Sequence, residues 1–273
     1  DAFKVAVVSL ASQVTSPLFR QEDVKKEMKN VVQEIRRSYD NPSIFCMRRF
    51  SEIVFGDLNL AKDTLGTEEA VLAFEWRDFQ DFFDRYYHPK NFAFIVVGNT
   101  TLAEAKRVFG NADFGNPDSK KWNNREKTGA AKISPKREII QREDVKQANA
   151  CFGVPIGPSD DPTTQFLDFY TTMIAGGMSF PLFQEVRDKR GLCYAVSASI
   201  TPWTDCGLFE IYIGTSEERL DEAIDCIHRV IEGSYKNTDL FEKARKNLLG
   251  KNSIQFTSPS AILYRAAQDL VFF

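Results

Sequence analysis

Two glutamates on one predicted helix are the first side chains whose types and spacing could do chemistry. Glu27 and Glu34 lie seven positions apart in "EMKNVVQE", where apolar residues recur at helical spacing. Seven helical residues rotate by about 700°, so both carboxylates face within about 20° of each other and lie about 10 Å apart along the axis. A metal ligand with a supporting carboxylate fits this spacing, and so does a solvated acidic stripe beside Lys25, Lys26 and Arg36. Geometry alone leaves both interpretations open.

A second pair lies in "MSFPLFQEVRDKRGLCYAV", which predicts a charged helix that stops at Gly191 and continues directly as a strand. Arg187 and Tyr194 are seven positions apart across this break. An exposed helical arginine is usually a solvated charge, and strand alternation places Tyr194 on the same face as Leu192, as a core tyrosine. If the phenol instead lies at the end of the sheet beside Arg187, two donors converge there. Such a pair could hold a carbonyl or a developing oxyanion.

Composition bounds the class of protein. The 273 residues are 43% hydrophobic, as in a soluble globular protein with a sizeable core, and the formal charge is −3 with no basic stripe, which argues against a nucleic-acid partner. No apolar run approaches the roughly 20 residues that span a bilayer, so we expect no membrane partner. Five cysteines without C-x-x-C spacing favour free thiols in a reducing compartment, and we expect a cytoplasmic protein.

The periodicity of the chain predicts an α+β fold of two similar sheet-and-helix domains. In the first, residues 1–113, a long helix lies within "SPLFRQEDVKKEMKNVVQEIRRSYD", further helices begin near Pro42 and Thr67, and "NFAFIVVGN" is a buried strand. Residues 114–136 lose all periodicity and form a linker. In the second, residues 137–273, the predicted strands are "REIIQRE", "QANACFGVPI" and a hairpin of "GLCYAVSASITP" with "GLFEIYIGT", and helices fill the rest.

Both ends of the sequence look cut. Residue 1 is not Met, the first residues already form an amphipathic pattern, and the chain stops on an apolar helical run. We therefore expect a fragment of a longer protein whose first domain is incomplete.

Complete catalytic motifs are absent from the sequence: it contains no H-E-x-x-H, H-x-x-E-H, G-x-S-x-G or phosphate-binding glycine motif. His88 precedes Pro89 in a predicted turn. His228 lies between Ile224 and Ile231 on a helix, where we expect it to be buried or half-buried. Neither histidine has a sequence position typical of a metal ligand.

Three segments in order resemble the pitrilysin or insulinase family of zinc peptidases, the inverzincins, which includes mitochondrial processing peptidase. "IAGGMSFPLFQEVRDKRGLCYAVSAS" resembles the signature of that family's second domain. "KKEMKNVVQEI" is similar to its E-x6-E segment, and "YYHPKNFAFIVVGN" to the run into the last strand of its first domain. The resemblance covers nearly the whole sequence.

The resemblance implies a zinc-dependent endopeptidase that hydrolyses peptides or unfolded segments between two domains. It makes Glu34 the third zinc ligand, Glu27 a supporting catalytic carboxylate, and Arg187 and Tyr194 substrate contacts from the second domain. In such an enzyme zinc polarises a water molecule whose proton is taken by the glutamate of H-x-x-E-H. The implied partner is a peptide substrate, and a homodimer and a heterodimer are both compatible with the family.

One departure from the family pattern limits these expectations. The family's H-x-x-E-H lies some seventy-odd residues before the third-ligand glutamate, as the resemblance implies, and only 33 residues precede Glu34 in this sequence. We therefore expect this chain alone neither to hold catalytic zinc nor to cleave peptides. Two alternatives stay open: a non-catalytic partner or structural subunit of the same family, and a module that binds an extended peptide at a sheet edge without cleavage.

Overall fold

The computed structural model describes residues 2–114, 135–255 and 257–272. Most of the predicted linker, residues 115–134, lies outside the described residues. Within them, no helix is long and apolar enough to cross a membrane. The described α-helices are α1 (Ala2–Thr15), α2 (Gln21–Asp40), α3 (Pro42–Phe55), α4 (Glu68–Ala73), α5 (Trp76–Tyr86), α6 (Leu102–Gly110), α7 (Pro162–Ala175), α8 (Leu220–Ser234), α9 (Thr238–Gln255) and α10 (Pro259–Phe272).

The strands form one three-stranded antiparallel sheet in the order β1-β3-β2. They are β1 (Ala148–Ile156), β2 (Ala195–Pro202) and β3 (Gly207–Thr215). Strands β2 and β3 are joined by a hairpin whose last pair is Pro202 with Gly207, which confirms the predicted hairpin. The fold is therefore α+β, mostly helical, and this sheet is the only one among the described residues.

The chain divides into two compact units. The first unit comprises residues 1–35, 65–126 and 255–273, and the second unit comprises residues 36–64 and 127–254. Helix α2 passes from the first unit to the second within its last turns. The predicted domain boundaries, 1–113 and 137–273, stay a prediction.

The second unit has its main core on one face of the sheet. Strand β3, the central strand, contributes the fully buried Ile211 and Ile213, which pack with the helices that follow β1 and β3. On the edge strand β2, Val196 and Ala198 pack against the same core. Alternating residues of a strand face opposite sides, so the residues between these face away from the core. A smaller cluster of Phe55, Cys206 and Leu208 joins α3 to the start of β3.

The predicted strand at residues 137–143 is wrong. Residues 135–142 have no regular secondary structure, and Ile139 is 72% exposed. Side chains hold this segment instead: the Arg49 guanidinium donates to Glu138, and Arg142 donates to the carbonyl of Tyr39 at 2.7 Å. An apolar-looking run becomes a strand only where a neighbouring edge accepts it, and these contacts draw the segment to the end of α2.

The regular elements among the described residues of the first unit are all helices, so the strand predicted for "NFAFIVVGN" is also wrong. Residues 92–97 have no regular secondary structure, and Phe94 packs in a cluster of aromatic rings, 4.7 Å from Phe109 and 4.4 Å from Phe114. No described strand in this unit offers an edge to pair with, which is the physical reason that the apolar run does not become a strand. Strand formation requires a partner that local periodicity cannot reveal.

The helix predicted from Thr67 is interrupted. Thr67 caps α4 as expected, accepting the amide of Ala70 at 3.1 Å, but α4 ends at Ala73 and α5 begins at Trp76. The interruption is a second N-terminal cap: the amide of Glu75 donates to Asp78 at 2.7 Å within a reciprocal capping box. Such a cap stabilises a new helix start inside one apolar pattern.

Candidate functional site

The segment that carries Arg187 is a π-helix, Leu182–Asp188. Its wider turn is visible in the bond from the amide of Lys189 to the carbonyl of Gln184, five residues earlier, at 2.9 Å. Leu182 and Val186 are buried in the main core and anchor the inner side of the helix. Short π-helical segments occur often at functional sites, because they place a side chain where a regular α-helix would not.

The chain reverses directly after this helix. The amide of Gly191 donates to the carbonyl of Arg187 at 3.0 Å, and the amide of Leu192 donates to Val186 at 2.9 Å. Gly191 has φ +60°, the left-handed conformation that favours glycine at the end of a helix. The guanidinium of Arg219 donates to the carbonyl of Gly191 at 2.6 Å, which ties the turn to the element after β3. The backbone on both sides of the predicted pair is therefore fixed by hydrogen bonds.

Tyr194 is exposed, so its placement on the core face with Leu192 is wrong. The side chain of Tyr194 is 61% exposed, whereas Leu192 and Cys193, two neighbours in sequence, are both buried. Regular strand structure begins only at Ala195, and the strand's two-residue alternation therefore does not extend back to Leu192. The amide of Tyr194 donates to the carbonyl of Gly214 at 2.8 Å, which fixes the backbone while the ring remains in solvent.

Arg187 is also exposed, and its guanidinium lies over the ring of Phe183 at 5.1 Å from the centroid. Burial raises the pKa of the nearby Cys193 thiol to about 11, while the positive charge of Arg187 acts in the opposite direction. The charge of the Arg187 guanidinium is thus close enough to affect the Cys193 thiol. Both predicted substrate contacts are solvent-accessible in the second unit; that they share one surface stays a prediction.

Three charged side chains close to Arg187 pair with one another. Glu185 accepts from Lys189 at 2.6 Å and lies 3.7 Å from Arg190. The ammonium of Lys189, followed by the charge of Arg190, lowers the pKa of the Glu185 carboxyl. Arg187, by contrast, stacks on the ring of Phe183 and is exposed.

The two glutamates lie on α2 in the first unit, and the predicted helix is confirmed. Both carboxylates are exposed, while Val32 and Ile35 are buried with Val71 in a small core cluster. Glu27 accepts from the side-chain amide of Asn30 at 3.2 Å. The helix therefore presents both carboxylates to solvent and its apolar face to the protein, as the spacing predicts.

The residues that the structure describes do not form a zinc site by themselves. Zinc requires three protein ligands in a catalytic site, and no group of three or more His, Cys, Asp or Glu side chains in the described part of the chain is arranged to hold a metal ion. His88 is 6% exposed, and neither ring nitrogen has a hydrogen-bond partner among the described residues. His228 is exposed on α8, contrary to the expectation of burial, because Ile227 and Val230 form the buried face there.

Comparison with known proteins defines the class. Residues 74–248 match the family described as "Peptidase M16 inactive domain". This match covers more than half of the chain, and it includes the π-helix, the turn at Gly191 and Tyr194. The chain belongs to the peptidase M16, or pitrilysin-like, family, and the matched region is the family's non-catalytic domain.

Curated relatives are named as zinc proteases. An uncharacterized zinc protease of Rickettsia bellii is 30% identical over 224 residues, 79% of this chain and 52% of that protein. An uncharacterized zinc protease of Streptomyces coelicolor is 27% identical over 225 residues, 81% of this chain and 49% of that protein. The chain therefore spans about half the length of the curated relatives it matches.

Solved structures share the fold. A protease from Helicobacter pylori superposes with a TM-score of 0.82 over 98% of this chain and 67% of that chain, at 17% identity. A peptidase M16 inactive domain from Pseudomonas fluorescens superposes with a TM-score of 0.79 over 95% of this chain and 62% of that chain, at 18% identity. At these identities the likeness concerns the fold alone.

Proposed function

We propose that the whole protein is a zinc-dependent endopeptidase that hydrolyses peptides or unfolded segments. In this proposal the chain belongs to a molecule with two similar sheet-and-helix domains, and the first domain includes residues outside this chain. The cleft between the domains holds the substrate, Arg187 and Tyr194 contact it, Glu34 completes the zinc ligands and Glu27 supports them. Family membership and the zinc proteases among the relatives support this class.

The observation that carries the proposal is that Arg187 and Tyr194, on either side of the turn at Gly191, are both exposed. A guanidinium and a phenol are strong donors, and both are offered to solvent by backbone that hydrogen bonds hold in place. Preorganised donors of this kind stabilise a carbonyl oxygen as negative charge develops on it. Leu192 and Cys193 are buried, so the exposed ring of Tyr194 beside them is free to contact a ligand.

An exposed apolar surface in the first unit supports the proposal that the first domain includes residues outside this chain. Helix α5 has no buried residue, although it is strongly amphipathic, and Phe82 is 57% exposed. A cavity of about 530 Å³ opens beside it, lined mainly by aromatic rings, among them Phe19, Phe79 and Phe83. An apolar surface of this kind is typically covered by another part of a protein or by a partner.

A second candidate function is a non-catalytic partner subunit of the same family. The description of the matched family as the inactive domain supports it. Peptide hydrolysis and zinc content, measured on the whole gene product, separate the two functions. Stoichiometric zinc with hydrolysis of an unfolded peptide supports the endopeptidase. A well-folded product that binds peptide without zinc or turnover supports the partner subunit.

A further inference from the structure

Two cysteines of the second unit lie side by side although they are 105 positions apart in sequence. Cys46 is on α3 and Cys151 is on β1, and their Sγ atoms are 3.6 Å apart. Both are free thiols, and both are partly exposed, unlike the three buried cysteines of the same unit. No spacing motif connects them, so only the tertiary structure identifies the pair.

The sheet determines how the two thiols meet. Ala150 and Phe152 of β1 pack against the main core, so Cys151 between them faces the opposite side of the sheet. Helix α3 lies on that side and brings Cys46 to it. Tyr212 is the residue opposite Cys151 on β3, and its hydroxyl donates to Asn149 at 2.7 Å. The pair thus belongs to a polar surface beneath α3.

The two thiols differ in acidity. The hydrogen bond between the two thiols lowers the pKa of Cys46, which burial and the Glu210 carboxylate oppose. The same hydrogen bond, together with burial, raises the pKa of Cys151. The thiolate is the nucleophilic form of cysteine, so Cys46 is the more reactive sulfur and Cys151 is the adjacent partner.

We propose that Cys46 and Cys151 form a dithiol site that hydrogen peroxide oxidises to an intramolecular disulfide. The Cys46 thiolate attacks one peroxide oxygen, the O–O bond breaks, and the leaving hydroxide takes a proton to become water. The resulting sulfenic acid is then attacked by the Cys151 sulfur, an S–S bond forms, the S–O bond breaks and a second water leaves. The two thiols lose two electrons and two protons, and the peroxide is reduced to two waters. This site is independent of the proposed peptidase function.

Bond formation requires a small movement and has a structural consequence. The sulfurs must approach from 3.6 Å to about 2.05 Å. The new bond joins α3 covalently to β1 across a long loop. Cross-links that close long loops restrict the unfolded chain most, so oxidation should stabilise the second unit against heat.

The test begins with the reduced 273-residue chain and one equivalent of hydrogen peroxide. We expect the intact mass to fall by about 2 Da and proteolytic mapping without reductant to recover one peptide pair that joins Cys46 to Cys151. The melting temperature should rise by on the order of 10 °C, and reductant should reverse the rise. Phenylarsine oxide, which bridges neighbouring thiols, should bind at one equivalent and protect the pair from peroxide.

Single variants separate the roles of the two sulfurs. Cys151→Ser should stop at a sulfenic acid on Cys46 that dimedone traps, and Cys46→Ser should leave Cys151 unmodified under the same conditions. Cys206→Ser is the matched control, because burial raises the pKa of that thiol to about 11 and it should not change the reaction. Circular dichroism verifies that each variant is folded. A disulfide that involves other cysteines, an intermolecular dimer, or no loss of mass in the folded chain overturns the proposal.

Discussion

The amide of Leu192 donates to the carbonyl of Val186 at 2.9 Å, and this single bond brings the residue after the turn back beside the π-helix. Val186 and Leu192 are both buried, so the turn is attached to the core at its two ends. Arg187 follows the first of these residues, and Tyr194 lies two positions beyond the second. The candidate substrate contacts are therefore extensions of a buried, hydrogen-bonded frame.

Removal of the phenol donor tests the proposed role of that frame. Tyr194→Phe in the whole protein should lower the turnover of a peptide substrate by a factor on the order of 10 to 1000, because one donor to the developing oxyanion is lost. Tyr235→Phe is the control, since Tyr235 has the same 61% exposure in the same unit but lies on no predicted site. Steady-state kinetics on both variants is the measurement. Equal rates for Tyr194→Phe and the wild type would sink the proposed contact.

Arg187→Ala should weaken the binding of substrate as well as its turnover, because the guanidinium is an exposed donor that stacks on Phe183 rather than pairing with the nearby acid Glu185. Arg187→Lys restores the charge but not the planar stacking, so it should recover only part of the activity. Arg190→Ala provides the control for loss of charge on the same segment. If Arg190→Ala lowers activity as much as Arg187→Ala does, the loss of charge on this segment explains the effect, and the assignment to Arg187 is wrong.

Glu34 can be tested through metal content. In the whole protein, Glu34→Gln should abolish stoichiometric zinc and peptide hydrolysis, because a neutral amide replaces a charged ligand. Glu22→Gln on the same helix is the control and should retain both. The 273-residue chain by itself should hold no catalytic zinc. Stoichiometric zinc bound through Glu34 in that chain would show that the wrong ligand set has been assigned.

Truncation of a core side chain in the second unit should lower its stability strongly. Ile211→Ala on the central strand removes a side chain with 0% exposure and should lower the free energy of unfolding by about 2 to 5 kcal/mol. Val154→Ala on β1, where the side chain is 47% exposed, should cost less than about 1 kcal/mol. Urea denaturation of the two variants gives the comparison. Similar losses would contradict the difference in burial between these two side chains.

The stability of the protein should depend on pH through the Asp161 carboxylate. Its carboxylate accepts the amides of Thr163 and Thr164 at the start of α7, and the bond from Thr163 lowers the pKa of Asp161 below its ordinary value of 3.8. A pKa that is lower in the folded state contributes stability above the ordinary value, and that stability is lost as the pH falls through the folded pKa.

Asp161→Asn keeps a capping acceptor but cannot titrate in this range. Thermal unfolding of this variant should therefore show a smaller loss of melting temperature between about pH 5 and pH 2 than the wild type does. Asp160→Asn, one position earlier, serves as the control and should follow the wild type. If the melting temperature of Asp161→Asn falls with pH as steeply as that of the wild type, the role assigned to the Asp161 carboxylate is wrong.

Much of the local structure was predictable from the residues. The helix that carries Glu27 and Glu34, the cap at Thr67 and the hairpin that ends at Pro202 and Gly207 all follow from periodicity and turn chemistry. The motif around Arg187 and Tyr194 likewise predicted the family, which the match over residues 74–248 confirms. These features depend on neighbours a few positions apart, so a linear pattern contains them.

Other features depend on partners that a linear pattern does not specify. The apolar run that includes Phe94 forms no strand because no described edge pairs with it, and Tyr194 is exposed because regular alternation starts one residue later. The compartment and the oligomeric state stay predictions.

The sequence by itself determined the positions of most helices, the hairpin and the family, because helical periodicity, capping and turn residues act over a few neighbouring positions. Only the tertiary structure decided which distant groups meet. Cys46 and Cys151 approach within 3.6 Å across 105 positions, since the alternation of β1 and the packing of α3 direct both sulfurs to one place. The entropy of closing so long a loop is offset by the packing of the whole second unit, and no short stretch of residues records that balance.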